Sequence, residues 1–355
     1  MSVSVTKSGF NVREKLKQLQ KPIGLKGSEL MRSETAQEAR DLVSAGRKNL
    51  IINGDMRIDQ RNNGSSVSIS SSGLIYYLDR WQIRSAASSG GSGTSQRILD
   101  GNQSKFRITT SSMTGLSYIQ QMIESSNIRH LSGREVTVSI YSTHPVTLDV
   151  YGYNSSDSET TVVNTVIMKN IGNNRYSHTF NLPSTQIGQS SNSRGILIVF
   201  LINGAQSPLS NGTYDFWNAQ LEVGKNATEF EHRSYGEELA LCERYFQLLT
   251  TENEELLGVG YVQNSSSVYV ASPFRTTMRT VPTVYNTLNG TVRFRCNSAS
   301  ADTNSNSDPA LNASISSQNI AFLSISGFSG LTGGQGCTVR QYLASSGFLG
   351  VNAEL

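Results

Sequence analysis

The stretch Glu135-Val-Thr-Val-Ser-Ile-Tyr141, followed by Thr147-Leu-Asp-Val-Tyr-Gly-Tyr153, decides the fold class. In both stretches polar and apolar residues alternate, which is the pattern of a β-strand with one buried and one solvated face. A third stretch, Gly195-Ile-Leu-Ile-Val-Phe-Leu-Ile202, is continuously apolar after its glycine and is predicted to be a central strand. The chain is therefore predicted to be mostly β.

Further strands are predicted on both sides of these three. They are Arg80–Arg84, Lys105–Thr109, Arg175–Leu182 and Tyr214–Gly224. Asn49–Met56 is predicted to be a strand that ends in an Asn-Gly turn. Many short strands separated by polar turns are typical of a β-sandwich, and a jelly roll is predicted over residues 49–235. The sequence has no repeat of solenoid period, which argues against a parallel β-helix.

A second, smaller β-domain is predicted over residues 250–355, after a helical connector at residues 236–249. Its candidate strands are Gly258–Val262, Ser267–Pro273, Gly290–Cys296, Ile320–Ile325 and Gly336–Tyr342. Asn297–Asn312 is rich in Ser, Asn and Asp and is predicted to be a loop, either functional or mobile.

Residues 1–48 differ from the rest and are predicted to form a short helical segment. Asn11-x-x-Glu14 and Thr35-x-x-Glu38 have the pattern of capping boxes, and a narrow apolar seam follows each. The seam residues are Val12, Leu16, Leu19, Ala36, Ala39 and Val43. Helices this short are marginal alone, so the seams are predicted to pack against sister copies of the chain or a docking surface.

The composition of the chain argues against several classes of function. Charged residues make up 16% of the 355 residues, the formal net charge is +3, and no basic stripe is present, so no nucleic-acid partner is predicted. No window approaches the roughly 18 apolar residues of a membrane span, so no membrane insertion is predicted. The N-terminus has no apolar signal-peptide core. The chain is expected to stay in the cytoplasm that makes it or to leave by lysis.

Motifs for catalysis and metal binding are missing from the sequence. The 3 cysteines and 4 histidines are scattered, with no zinc, nucleophile-elbow or phosphate-loop spacing, so no enzyme, cofactor or metal site is predicted. A glycosidase needs only two carboxylates, and Asp149, Asp215 and Glu222 are candidates that nothing marks out. A structural calcium ion remains a weaker alternative, for which Asp55, Asp59 and Asp215 are the candidate ligands.

Aromatic residues are the more informative candidates, because sugar rings stack on flat aromatic planes while amides and carboxylates bond their hydroxyls. The candidate glycan-binding residues are Tyr76, Tyr77, Tyr151, Tyr153 and Tyr176, with core packing as the alternative for each. Trp81 and Trp217 lie inside alternating strands and are predicted to pack in the core.

Several stretches resemble a family of tail-fibre, tail-associated and other structural proteins of phages, including those of cyanobacteria and other marine bacteria. The most specific is Phe216–Gln247, which contains Trp-Asn-Ala-Gln-Leu-Glu-Val-Gly. The others are Gly27–Arg40, Gly46–Arg61, Tyr77–Trp81, Phe274–Thr283 and Phe348–Leu355. The resemblance implies a jelly roll similar to carbohydrate-binding modules, a small β-domain after it, homotrimers on the virion, and no catalytic residues.

The function that this resemblance implies is that of a virion structural protein, fibre-like or tail-associated, assembled in the host cytoplasm. Residues 1–48 would dock to other virion proteins of the tail, nozzle, baseplate or capsid, and the β-domains would face host surface polysaccharide. A trimer would add avidity to weak sugar sites. The alternatives are an adaptor or capsid-decorating fibre without receptor contact, a glycan depolymerase, and a free lectin-like module.

Overall fold

The computed structural model describes residues 48–69, 74–85, 93–111, 117–183, 190, 193–202, 211–252, 254–286, 292–299, 301–305, 310–311, 316–343 and 348–355. The predicted N-terminal helices lie outside the described residues, together with their seam of Val12, Leu16, Leu19, Ala36, Ala39 and Val43. Residues Asn49–Leu355 form one compact unit. This unit is mostly β, as predicted, and contains a β-sandwich followed by a second group of sheets.

Two antiparallel sheets form the sandwich. The seven-stranded sheet consists, in spatial order, of β1 Val67–Ser68, β4 Gly93–Asp100, β5 Gln103–Thr110, β13 Gly212–Val223, β7 Glu135–Ser142, β11 Arg175–Asn181 and β10 Lys169–Gly172. The six-stranded sheet consists of β2 Leu74–Leu78, β3 Trp81–Ser85, β6 Ser117–Glu124, β12 Arg194–Leu201, β8 Thr147–Tyr153 and β9 Glu159–Ile167. A short helix, α1 Ser125–Ile128, and a 3-10 turn, Arg129–Leu131, follow β6.

The core of the sandwich lies between these two sheets and includes the fully buried Trp81, Phe106 and Phe216. Strand β12 is central in its sheet, as its apolar sequence predicts, because β6 and β8 pair with it on either side. Every second residue of β12, such as Ile198, points into the core. The residues between them, such as Val199, form a separate apolar cluster on the other face of the sheet. Both faces of β12 are therefore covered by side chains, which explains its lack of alternation.

The second β-domain begins after helix α2, Tyr235–Glu243, whose start is fixed by a capping box between Ser234 and Glu237. Its three-stranded sheet consists, in spatial order, of β14 Phe246–Thr250, β23 Leu349–Asn352 and β17 Thr283–Asn286. Its seven-stranded sheet consists of β19 Asp302–Ser305, β18 Val292–Ser298, β22 Gly336–Leu343, β15 Leu256–Asn264, β16 Ser267–Pro273, β21 Ile320–Ser326 and β20 Ala310–Leu311. No helix of the described residues is long and apolar enough to cross a membrane.

Three local predictions differ from the structure. The helical connector predicted at residues 236–249 is helical only as far as Glu243, because Phe246–Thr250 pairs with β23 as strand β14. Residues 297–312 contain strands β19 and β20, where a loop was expected, because β19 pairs with β18 despite its polar composition and the apolar Ala310–Leu311 of β20 pairs with β21. Residues 49–56 form turns and not a strand. Hydrogen bonds to a side chain take the place of strand pairing there. The Asn49 Oδ1 atom accepts from the amides of Ile51 and Leu221 at 3.0 and 3.1 Å. The predicted turn is present, with Asn53 at φ 56°.

Candidate functional site

The solvent face of the six-stranded sheet carries a groove with a volume of about 420 Å³. Its lining comes from five strands of that sheet and from one residue far along the chain, Leu355. The lining residues are Gln82, Arg84, Tyr118, Gln120, Met122, Asp149, Tyr151, Tyr153, Glu159, Arg194, Leu197, Val199, Leu201 and Leu355. We call this feature the sheet groove. It is a concave surface with apolar and polar groups side by side, which is the usual composition of a small-molecule or cofactor site.

The floor of the sheet groove is apolar. It is formed by the outward residues of β12, which are Leu197, Val199 and Leu201, together with Met122 of the adjacent strand. The β12 side chains are 3% to 8% exposed. Such a floor offers dispersion contacts to a ligand, while little of its area is left to be removed from water.

A row of polar side chains crosses the middle of the floor. Strand pairing places Gln82 opposite Gln120, Gln120 opposite Val199, and Val199 opposite Asp149. The Gln120 Nε2 atom donates to the Gln82 Oε1 atom at 2.7 Å, which fixes the orientation of both amides. Asp149 is held in the same way, because its Oδ1 atom accepts from the amide of Thr165. The row is thus rigid before any ligand arrives, and rigid polar groups lose little entropy on binding.

Two tyrosines of β8 line one side of the floor, and the hydroxyl of each donates to a carboxylate. The Tyr153 hydroxyl donates to the Glu159 Oε2 atom at 2.7 Å, and the Tyr151 hydroxyl donates to the Asp149 Oδ2 atom at 3.4 Å. Burial, and then the neighbouring carboxylate, raises the pKa of both tyrosines. Both hydroxyls are therefore protonated at neutral pH and act as donors.

One end of the sheet groove is closed by a cation. The Arg194 guanidinium lies 4.6 Å from the centre of the Tyr153 ring. It is held there by Asp157, whose Oδ1 atom accepts from the Arg194 Nε atom at 3.0 Å. Asp157 belongs to the turn between β8 and β9 and has φ 59°. A ligand can therefore stack on Tyr153 only after Arg194 moves, whereas no such cation covers Tyr151 among the described residues.

The five predicted glycan-binding tyrosines fall into three groups. Tyr151 and Tyr153 line the sheet groove, but Tyr153 is only 5% exposed, so Tyr151 is the tyrosine whose ring a ligand can reach. Tyr77 and Tyr176 pack in the core of the sandwich, at 5% and 7% exposure, so their rings are unavailable to a ligand and these two assignments need correction. Tyr76 lies beside the groove, where its hydroxyl donates to the carbonyl of Leu355 at 3.2 Å, and it serves as a structural contact.

Sequence reasoning missed the contribution of strand β6 to the site. Its sequence, Ser-Tyr-Ile-Gln-Gln-Met-Ile-Glu, has two adjacent polar residues that interrupt the alternation. The signal was still present, because Tyr118, Gln120 and Met122 occupy every second position and all face the groove. The intervening Ile119 and Ile123 are in the core.

The two tryptophans differ in their environment. Trp81 is fully buried, as predicted. Trp217 is half-buried on the outer face of the seven-stranded sheet, so the core prediction for it is wrong. Its ring stacks on Tyr141 with centroids 5.6 Å apart, and the Lys105 ammonium lies 4.6 Å from its centre. These neighbours occupy its ring faces, so Trp217 is a poor platform for a sugar.

The predicted calcium ligands do not meet. Asp55 pairs with Arg57 at 2.7 Å, and Asp215 pairs with Arg107. Asp59 accepts from the backbone amides of a tight loop, including that of Gly64 at 2.8 Å. Within the part of the chain that the structure describes, no group of three or more acidic, His or Cys side chains could hold a metal ion. The calcium assignment is therefore not supported.

The predicted glycosidase carboxylates are also separated. Asp215 and Glu222 lie on β13, in the seven-stranded sheet, and Asp149 lies on β8, in the other sheet. Glu222 is engaged locally, where its Oε1 atom accepts from the amide of Thr228 at 2.8 Å. These three residues therefore form no common site.

Comparison with known proteins gives no family assignment, because no family model and no curated protein matches the chain. Solved structures that are similar include the enzymatically active domain of tailspike protein 4 from bacteriophage CBA120, at 11% identity and a TM-score of 0.28. That match covers 49% of this chain and only 21% of the tailspike chain.

Carbohydrate-binding modules are also among the similar structures. The C-terminal family 22 module of Clostridium thermocellum Xyn10B matches at 10% identity and a TM-score of 0.27, over 42% of this chain and 89% of the module. The xylan-binding CBM22-1 domain of Paenibacillus barcinonensis Xyn10C matches at 8% identity and a TM-score of 0.27, over 52% of this chain and 100% of that domain.

Proposed function

We propose that the sheet groove binds glycan chains of a host cell surface. The observation that carries this proposal is the combination of an apolar floor with tyrosines, fixed amides and carboxylates on one solvent face. A sugar ring needs both kinds of group, because its C–H face packs on aromatic or aliphatic surface while its hydroxyls need hydrogen-bond partners. In this proposal Tyr151 is a stacking residue, and Gln82, Gln120 and Asp149 bond the hydroxyls.

The separation of the groove carboxylates supports binding without hydrolysis. Glu159 lies opposite Tyr153, and Tyr153 is four positions after Asp149 on β8. At ~3.3 Å per residue, the backbone positions that carry the two carboxylates are ~13 Å apart along the strand. Glycoside hydrolases need a separation of ~5–9.5 Å. We therefore propose a non-catalytic protein.

The wider proposal is a virion structural protein of a bacteriophage, fibre-like or tail-associated, assembled as a homotrimer in the host cytoplasm and anchored through residues 1–48. The sequence resemblance supports this role. A second support is the outer face of the C-terminal seven-stranded sheet, where Leu256, Val259 and Tyr261 are 53%, 60% and 45% exposed. Clustered exposed apolar side chains are typical of interaction surfaces, which copies of a trimer would bury.

The test is affinity electrophoresis of the full chain in gels that contain soluble xylan, mixed-linkage β-glucan or bacterial lipopolysaccharide. We expect retardation in at least one gel, and loss of most of it in Tyr151→Ala. The matched control is Tyr141→Ala, which removes a half-buried tyrosine from the opposite sheet. Equal retardation of the two variants would refute the groove as the binding site.

Two further measurements separate the alternatives. A reducing-end assay on the retained polysaccharide would reveal a depolymerase, and we expect no new ends. Light scattering gives the mass in solution, for which we expect a trimer. A stable monomer that binds no polysaccharide would favour an adaptor that assembles only on the particle.

A further inference from the structure

We infer that the segment Ala353–Leu355, which follows β23, completes the sheet groove: Leu355 is a specificity-determining wall residue, and Glu354 is its positioning residue. This inference rests on the proposed glycan-binding function of the groove. It makes the site a product of both β-domains, because β23 belongs to the C-terminal domain while the groove floor belongs to the sandwich.

Hydrogen bonds from both domains hold the backbone of this segment in place. The amide of Ala353 donates to the carbonyl of Tyr245 at 2.7 Å. The Arg279 guanidinium donates to the carbonyls of Ala353 and Glu354 at 2.8 and 3.1 Å. From the sandwich, the Tyr76 hydroxyl donates to the carbonyl of Leu355 at 3.2 Å. The path of the segment is therefore fixed at each residue.

The Glu354 side chain anchors the segment to the sandwich. It is 4% exposed and forms ion pairs with two buried cations, Arg61 at 3.3 Å and Arg80. Arg80 is itself fixed, because its guanidinium lies 3.5 Å from the centre of the Tyr245 ring. A buried carboxylate between two buried guanidiniums cannot leave without exposing unpaired charges, so this pairing holds the segment firmly in place.

Leu355 then reaches the groove. It packs with the apolar cluster of the floor, which includes Met122 and Leu197, and it also touches the cluster around Cys242 of helix α2. Every other groove-lining residue of the described chain belongs to a strand of the six-stranded sheet. Leu355 is thus an aliphatic wall added from outside the sheet. It favours a sugar whose apolar face lies against it and disfavours a charged substituent at that position.

The first test compares Leu355→Ala with Leu99→Ala, which removes a leucine that is 70% exposed on the opposite sheet. The probes are soluble mixed-linkage β-glucan and xylan in affinity gels. Loss of part of a leucine contact is expected to weaken binding about tenfold in Leu355→Ala, and less than twofold in the control. If the unmodified chain binds and Leu355→Ala binds equally well, the wall role is refuted while the proposed function stands. If the unmodified chain binds neither probe nor lipopolysaccharide, both fail.

The second test needs no ligand. Hydrogen exchange is compared at the amides of Glu354 and Leu355 in the unmodified chain and in Glu354→Gln, which keeps the shape but removes the charge. We expect exchange there to be at least tenfold faster in the variant, with β14 and β23 still protected. Unchanged exchange would overturn the positioning role of Glu354. Loss of protection throughout β23 would also overturn it, because Glu354 would then act on the whole domain and not on the wall.

Discussion

Asp79 gives the sharpest test of the buried contacts between the two β-domains. It is fully buried, and burial raises its pKa from 3.8 to about 7, although the Arg61 guanidinium 3.0 Å away acts in the opposite direction. In the unfolded chain the Asp79 carboxyl has its ordinary pKa. Between pH 4 and 7 the folded state therefore holds a proton that the unfolded state has lost. The stabilisation from Asp79 is therefore complete below pH 4 and is lost as the pH rises through about 7.

The size of this effect follows from the two pKa values. A folded pKa of about 7 in place of 3.8 corresponds to about 4 kcal/mol of pH-dependent stability. Asp79→Asn keeps the shape and removes the titration. Urea unfolding of both chains from pH 4 to 8 should show the free energy of unfolding of the unmodified chain falling by up to about 4 kcal/mol relative to the variant.

The control for this measurement is Asp100→Asn. Asp100 is exposed and pairs with Lys105, which lowers its pKa, so a small slope of the opposite sign is expected. A difference between the unmodified chain and Asp79→Asn that is constant from pH 4 to 8 would refute the reasoning. It would mean that Arg61 and the backbone amide of Gln60, which donates to Asp79 at 2.6 Å, keep the carboxylate ionised despite its burial.

Two other predictions concern packing. Gly54→Ala should destabilise the chain by ~1–3 kcal/mol in urea unfolding, because the new Cβ atom would lie 2.2 Å from the carbonyl oxygen of Ala219. Gly236→Ala is the matched control, since a Cβ atom there meets nothing within 4 Å, and no loss of stability is expected in the helix. Trp217→Ala should lower stability without changing polysaccharide retardation, because its ring faces are already covered; reduced retardation at unchanged folding would contradict this assignment.

Alternation in the sequence identified the strands but not always the face that meets solvent. On β8, Asp149 shares its side of the strand with Tyr151 and Tyr153, and a carboxylate on that side indicates solvent. On β11, Tyr176 shares its side with Phe180, and both are buried in the core. The tyrosines of β8 therefore line the groove, whereas Tyr176 of β11 lies in the core. The residues at every second position gave only part of the distinction, because His178 stands between Tyr176 and Phe180 on the same side of β11.

The contribution of Leu355 could not be predicted, because it depends on contacts between residues far apart in the chain. The Tyr76 hydroxyl and the Leu355 carbonyl are separated by 279 positions, and Arg61 and Glu354 by 293. Sequence periodicity reports only on neighbours within one helix or strand. Strand β9 was missed for a related reason, because its register against β8 shifts twice and interrupts the regular pattern.

Four of the stretches that resemble phage structural proteins contact one another in pairs within the described residues. Gly46–Arg61 and Phe216–Gln247 meet where the amide of Asn53 donates to the Glu238 Oε1 atom at 2.6 Å. Phe274–Thr283 and Phe348–Leu355 meet where Arg279 holds the Ala353 carbonyl. The groove-lining residues lie outside these stretches, with Leu355 as the one exception in the described chain. The contacts between these stretches therefore lie outside the strands that form the groove. Leu355 is the described residue that belongs to one of these stretches and also lines the groove, so it connects the packing around helix α2 to the groove.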